Sequence, residues 1–494
     1  MAETQQTKRP KIALTGASGY IGRNLMNKLT EHADVIALSR NGDKYDNTEH
    51  VEWRSCDVFS MADAEKALKG ADYAFYLVHS MMPSAKLTQG TFEDMDIILA
   101  DNFAQAAKKN GVKQIVYLSG LMPEAKQLSR HLKSRLEVEK VLSAYGVPVT
   151  TIRAGLIVGP QGSSFPILQR LVKRLPYMIL PKWTNTKTQP IALPDVLNAL
   201  DKSVGNESVF GKAIDVGGPE VLTYKIMMKQ TAEVLNKERK FYNVPFFTVK
   251  LSRLWVSLTT QTPKEMVYPL IESLVHPMVV SKERVVEGIS NGTITFKEAA
   301  LNSIREEEQK MKEQEEKNKQ QGSNPPKPQK PEVEANVRSV QRVPMPDGKT
   351  AQWVAQHYVE WLPGLFNPFL RAKCDDPSSC ELYPKFGKTP LLILSLSEER
   401  STKDRALYYI TGGAFAKTKD GNRGRLEFRH IPGTNECIVA IHDYMPSLPW
   451  FVYQYTQARM HIWVMFSYKK HLERYIKREN KKEETTVSSS EARA

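Results

Sequence analysis

From Lys11 to about Val158 the chain alternates short β-branched apolar runs with longer amphipathic stretches. "KIALTG", "DVIALSR", "YAFYLVHS", "KQIVYLSG" and "VTTIRAGLIVG" are near-continuous apolar segments. Each predicts a strand buried on both faces. Between them, "RNLMNKLTEH" and "MDIILADNFAQAAKKNG" carry helical periodicity, the second ending at Gly111. Strict strand–helix alternation predicts an α/β domain built on a doubly wound parallel sheet, over roughly residues 11–300. Past Gly159 the alternation loosens. "PILQRLVKRLPYMIL", "LTYKIMMKQTAEVLNK" and the Pro-punctuated "SRLWVSLTTQTPKEMVYPLIESLVHPM" predict a small helical lid, at about 160–300, over a ligand cleft.

A break follows at "REEEQKMKEQEEKNKQQGSNPPKPQKP". It is nearly devoid of apolar residues and cannot offset its ordering entropy by burial. A frayed helix end plus an extended linker, at 305–335, is expected. Residues 337–476 change character. "PLLILSLSEER", "RALYYITGGAFAK", "GRLEFRHIPG" and "ECIVAIHDYM" predict antiparallel strands joined at "DGNRG" and "PGTNE". In "GRLEFR", Arg425, Glu427 and Arg429 alternate with Leu426 and Phe428, as in a half-buried strand. One long helix, "LPWFVYQYTQARMHIWVMFSYKKHLERYIK", is expected to close this domain, with Phe451, Tyr455, Trp463 and Phe466 on its inner side. Residues 1–10 and 477–494 read as disordered ends.

Composition narrows the class. In 494 residues, 41% are hydrophobic and 25% charged, which suits a multidomain globular protein. The net charge of +14 is scattered, so it implies a solvated basic surface or contact with an anionic membrane surface or acidic partner. No nucleic-acid-binding motif accompanies it. Cys374 and Cys380 have no common zinc spacing, and a pair of free thiols is expected. No signal core and no run of about 18 apolar residues is present, so a cytoplasmic protein without a transmembrane segment is expected.

Chemistry enters at "TGASGYIG", where Gly16, Gly19 and Gly22 stand between a strand and a helix. The first glycine permits a tight turn and the second a close approach to a pyrophosphate. The third lets helix pack on strand, while the helix N-terminus presents N–H groups. The second strand ends in Ser39 and Arg40 instead of the acid that would hold an NAD ribose. A guanidinium there can pair with a 2′-phosphate, so NADP is expected over NAD. Asp57 could meet the adenine amino group or merely cap its loop.

These features resemble the atypical branch of the extended short-chain dehydrogenase/reductases, from about Lys11 to Met278. "CDV", "YLSG", "IRAGLIVGP" and "QPIALPDV" follow in matching order. The resemblance implies a Rossmann fold and a nicotinamide cofactor. Thr15, Gly16, Ser18, Gly19, Tyr20, Ile21 and Gly22 would line the diphosphate, with Leu77, Val78 and His79 bordering the cofactor. It also implies a catalytic serine, matched by Ser119, and a Tyr-x-x-x-Lys pair. Here that pair aligns with His131 and Arg135. Four residues apart, the two share a helical face. Histidine titrates near neutrality and can serve as a general acid, and Arg135 could steady an oxyanion. Two readings stay open: an NADP-dependent oxidoreductase acting on a hydrophobic carbonyl or quinone-like compound, or a non-catalytic NADP-binding sensor or scaffold like the complex I accessory subunit. The C-terminal segments are similar to a domain of START-like, helix-grip kind. That resemblance implies a hydrophobic or lipid-like ligand and is compatible with peripheral membrane contact.

Overall fold

The computed structural model describes residues 9–80, 85–125, 127–162, 164–244, 248–320, 334–366, 369–376, 379–417 and 424–491. The chain divides into two compact units. One comprises Met1–Met82 and Asp96–Gln329, the other Pro83–Met95 and Lys330–Ala494.

The first unit is built on strands β1 (Lys11–Thr15), β2 (Asp34–Ser39), β3 (Val51–Ser55) and β4 (Tyr73–Tyr76). After an excursion through β5 (Ala85–Gln89), the chain adds β6 (Ile115–Gly120), β7 (Val149–Ala154) and a last strand at Ala213–Val216. The order across the sheet is Ala213–Val216, β7, β6, β4, β1, β2, β3, and every pairing is parallel. A parallel sheet needs helices on both faces. The helices along this stretch are α1 (Tyr20–Leu29), α2 (Met61–Ala67), α3 (Phe92–Lys109), α4 (Arg130–Leu142), α5 (Phe165–Arg174) and α6 (Leu193–Ser203), of which α5 packs into the lid instead of on the sheet. Local chemistry sets their limits. Ser60 and Ser129 accept first-turn N–H groups, and Pro166 occupies a first-turn position where its missing N–H costs nothing. Strand order reverses between β1 and β4, which opens a crevice at the strands' carboxyl ends.

The lid adds α7 (Tyr224–Val234), α8 (Val249–Thr260), α9 (Lys264–Ser273) and α10 (Phe296–Gln320) around a core of Phe165, Leu168, Trp183, Met227, Val267 and Phe296. Helix α10 runs into the segment expected to be linker. Glu307 accepts hydrogen bonds from Gln169 at 2.7 Å and Lys173 at 3.1 Å, so pairing replaces the missing apolar burial there. The Pro-rich remainder of that segment lies outside the described residues.

The second unit is a sheet of eight strands. Its order is Leu370–Asp376, Ser379–Pro384, Leu392–Leu396, Arg405–Gly412, Arg425–His430, Glu436–Tyr444, Glu334–Pro344, then β5. The first seven strands pair antiparallel, as the sequence predicted. The turn expected at "DGNRG" lies largely outside the described residues. Two helices, α11 (Ala351–Leu365) and α13 (Gln457–Glu491), pack on one face through Tyr358, Leu362, Val464, Tyr468 and Leu472, against Phe428 and Val439.

Five expectations need correction here. The long closing helix is two, because it breaks at Thr456 (φ −118°, ψ −88°) after α12 (Trp450–Tyr455). The break rephases the helix: Phe451, Tyr455, Trp463 and Phe466 are exposed, while Tyr453, Gln457, His461 and Val464 face inward. The tail expected to be disordered continues α13 to Glu491, its charged residues forming pairs such as Lys482–Glu479. Glu427 and Arg429 are buried, each 3% exposed, instead of facing solvent. They persist there as ions because Glu427 pairs with Arg405 and Arg429 and lies 3.5 Å from His442. Cys380 is disulfide-bonded and not a free thiol. No described helix is long and apolar enough to cross a membrane.

The β5 excursion has no counterpart in the sequence reading. This strand leaves the first unit's chain and pairs parallel with Glu334–Pro344, Val337 opposite Leu87 and Ser339 opposite Gln89. Gln89 donates to the Ala458 carbonyl at 2.8 Å, and Arg342 pairs with Asp94 at 2.8 Å. Without β5, Glu334–Pro344 would be an open edge. A fragment of residues 330–494 is therefore expected to self-associate, and a synthetic 83–95 peptide to raise its melting temperature. A monomeric fragment indifferent to the peptide would show that β5 is dispensable.

Candidate functional site

The crevice beyond β1 and β4 is a cavity of about 580 Å³. Its floor is the glycine loop. Gly16 has φ +69°, a left-handed conformation, and accepts a bond from the Gly19 N–H at 2.9 Å. Gly22 has no room for a side chain, since a Cβ there would lie 2.1 Å from the Gly16 oxygen. Gly19 caps α1 without a side-chain hydrogen bond, so the helix start faces the cavity with backbone N–H groups. Loop and helix start together form a cradle fitted to a diphosphate.

The expected cofactor residues divide into two groups. Gly16, Gly19, Tyr20, Ile21, Gly22, Leu77, Val78 and His79 line the cavity. Thr15 lies beneath it, donating to the Phe75 carbonyl and accepting from the Leu77 N–H, both at 3.0 Å. It therefore positions Leu77 instead of lining the wall. Ser18 and Ser39 approach within 3.4 Å, which sets the end of β2 beside the glycine loop. Arg40 follows, exposed, with no ion pair among the described residues. Asp57 accepts the Phe59 N–H at 3.1 Å and so closes its own loop; it does not line the cavity.

Ser119, His131 and Arg135 all lie on the cavity wall. Ser119 stands near the end of β6 with its Oγ buried beside the Tyr117 hydroxyl, its hydrogen-bond neighbour. Arg135 is buried, and burial opposes its charge, but Tyr117 and Asp96 beside it hold it protonated. Asp96 lies 3.5 Å from the guanidinium and accepts from the Ser80 N–H at 2.7 Å and Ser80 Oγ at 2.8 Å. Nothing in the sequence separated this aspartate from the other acids of "FEDMDIILAD". Gln161, Arg170, Met266 and Leu270 of the lid complete the wall, and they too carried no local signal.

His131 departs from expectation. Burial, reinforced by the positive charge of Arg135 and by His79, pushes its pKa down to about 3, although the ring keeps an edge toward the cavity. It is neutral at neutral pH and is not a ready general acid. Its Nδ1 lies 3.4 Å from Ser273 Oγ, which also lies 2.8 Å from Ser129 Oγ and 3.0 Å from the Pro269 carbonyl oxygen.

Beside this cavity lies a second, of about 160 Å³, with Leu156, Leu168, Leu171, Trp183, Tyr224, Met228, Val267 and Ile271 in its wall. The two share Gly120, His131, Ala154, Gly155, Ser164, Ile167 and Leu270.

The fold and this glycine cradle define a dinucleotide-binding domain of Rossmann type. Residues 16–170 match the family described as NAD(P)H-binding, so this segment is an NAD(P)-binding Rossmann domain. The chain is 32% identical over 184 residues to auxiliary protein GraX of Staphylococcus aureus, covering 36% of this chain and 55% of that one. It is 21% identical over 240 residues to NADH dehydrogenase (ubiquinone) 1 alpha subcomplex subunit 9 of Arabidopsis thaliana, 47% of this chain and 59% of that protein. The chain thus spans little more than half the length of these two relatives. Among solved structures, the chain is similar to an Escherichia coli NADPH-dependent quinone oxidoreductase complexed with NADPH, at 19% identity and a TM-score of 0.48, over 59% of this chain and 99% of that one.

Two outcomes follow from the geometry. Gly22→Ala should weaken NADPH binding at least about tenfold, or about 1.4 kcal/mol, by displacing the Gly16 carbonyl. Wild-type affinity in a titration would rule out the cradle. The second concerns acid. Folded His131 stays neutral to about pH 3, whereas an unfolded imidazole binds a proton near 6.5. The unfolded chain thus holds the extra proton in that window, and stability should fall as pH drops from about 6.5. His131→Gln should flatten the decline of the urea midpoint between pH 7 and 5; an unchanged slope would contradict the burial.

Proposed function

We propose that the first unit is an NADP-dependent oxidoreductase of the atypical extended short-chain dehydrogenase/reductase kind. Its substrate is a small apolar, conjugated carbonyl or quinone-like acceptor. The observation that carries this reading is the apolar cavity of about 160 Å³ sharing the wall that bears His131 with the dinucleotide crevice. Bound NADPH would supply a hydride.

The chain's residues then account for the oxygen of the acceptor. Ser119 brings a hydroxyl to the cavity wall, where it can exchange its contact with Tyr117 for donation to an oxygen gaining negative charge. Arg135 lends positive charge without surrendering a proton, and Asp96 keeps that charge affordable in a buried place. Neutral His131 orients the acceptor from the same wall. No group in this set replaces the missing tyrosine as proton donor. Acceptors whose reduced form is a stable anion, protonated afterwards by water, suit the site better than simple ketones.

Preference for NADP rests on exposed Arg40 at the end of β2, beside the glycine loop. The antiparallel sheet of the second unit, packed against a long helix with a cavity between them, supports the START-like reading of that unit.

NADPH should bind tighter than NADH by about 1.5–3 kcal/mol, and Arg40→Ala should erase the difference. Equal wild-type affinities would end the assignment. In stopped-flow experiments with quinones and enones, Ser119→Ala should slow NADPH oxidation by on the order of 10²-fold. The rate should carry no histidine titration between pH 5 and 8. Tight NADPH binding with no oxidation by any acceptor would favour the sensor or scaffold reading instead.

A further inference from the structure

The second unit encloses a cavity of about 340 Å³. Its wall is formed by Leu362, Phe366, Leu382, Ile410, Ile441 and Val464, among others, and no lysine, arginine, aspartate or glutamate lines it among the described residues. Most polar groups whose bonding is defined there are already engaged. His461 and Ser339 share a hydrogen bond of 3.0 Å, and burial holds the imidazole neutral at about 4. The Tyr444 hydroxyl donates to the Phe415 carbonyl at 2.6 Å.

Gln457 differs. It opens α13, directly after the break at Thr456, and lines the cavity. Its Nε2 and Oε1 are both shielded from solvent, and neither has a hydrogen-bond partner among the described residues. An unpaired buried amide is destabilising, so such a group in a native fold calls for a partner. Water filling the cavity could bond the amide, but it would leave most of the wall, which is aliphatic and aromatic, without polar contacts.

We propose that this cavity binds an uncharged apolar molecule bearing one end with a donor and an acceptor side by side, such as a primary amide or a protonated carboxyl. The planar amide of Gln457 presents N–H and C=O together, and a two-point match satisfies both at once. An ionised carboxylate fails this test. It would accept from Nε2 but set its second oxygen against Oε1, and it would bury a charge with no cation in the wall. A pure hydrocarbon would leave the amide unpaired.

The test is calorimetric titration of the full chain with decanamide and with decanoate at pH 7.4. Decanamide should bind saturably, one per chain, and decanoate at least about tenfold more weakly. Gln457→Leu and Gln457→Met should each lose at least about tenfold for decanamide while melting no lower than wild type, since both remove the unpaired amide. Val464→Trp, which fills the cavity, should abolish binding, with NADPH affinity unchanged in all three variants. The proposal is overturned by absence of saturable decanamide binding, by decanoate binding as tightly, by undiminished affinity in both Gln457 variants, or by binding that survives Val464→Trp.

Discussion

The buried pair of Arg135 and Asp96 is the constraint on which the first unit's site depends. A guanidinium deep in a Rossmann domain would be untenable alone. Removing one partner of such a pair costs about 3–5 kcal/mol, because the other charge stays buried. Asp96 also gathers Ser80 from the segment after β4 and Ser134 from α4. It thereby ties the wall of the crevice to the helix that carries His131 and Arg135. Burial depresses the His131 pKa, and the same cation adds to that effect, so the ion pair sets the local charge and reinforces the neutrality of the neighbouring imidazole.

This arrangement changes the chemistry available. A tyrosine–lysine pair delivers a proton at neutral pH, whereas a neutral histidine beside a compensated arginine stabilises charge without releasing one. The cleft, the glycine cradle and the Ser119 hydroxyl are all present. Under the proposed function the demand shifts to the acceptor, which would have to tolerate negative charge until solvent protonates it.

The second unit solves a similar electrostatic problem differently. Glu427, Arg405, Arg429 and His442 form a buried charge cluster on one face of its sheet. Burial alone would raise the Glu427 pKa, but the two guanidiniums hold it well below the usual carboxylate range. The opposite face is apolar, with Leu426 and Phe428 turned into the core. A strand with two buried faces, one ionic and one apolar, shows the same alternation in sequence as a strand with one wet face.

The sequence by itself determined what depends on local pattern. Near-continuous apolar runs separated by helical stretches specify a parallel sheet, because only strands buried on both faces lack alternation. Gly16, Gly19 and Gly22 specify the cradle, because turn, close approach and packing are each local demands on one residue. The four-residue spacing of His131 and Arg135 put them on one helical face. Tertiary structure decided whatever depends on distant neighbours. The neutrality of His131 comes from burial and Arg135, and the charge of Arg135 is sustained by Asp96 from another helix. The inward face of α13 follows from a break at Thr456 that periodicity does not announce. The donation of β5 to the other unit's sheet is least legible of all. A five-residue strand carries no mark of which edge it will join, and only the unpaired backbone of Glu334–Pro344 supplies the reason.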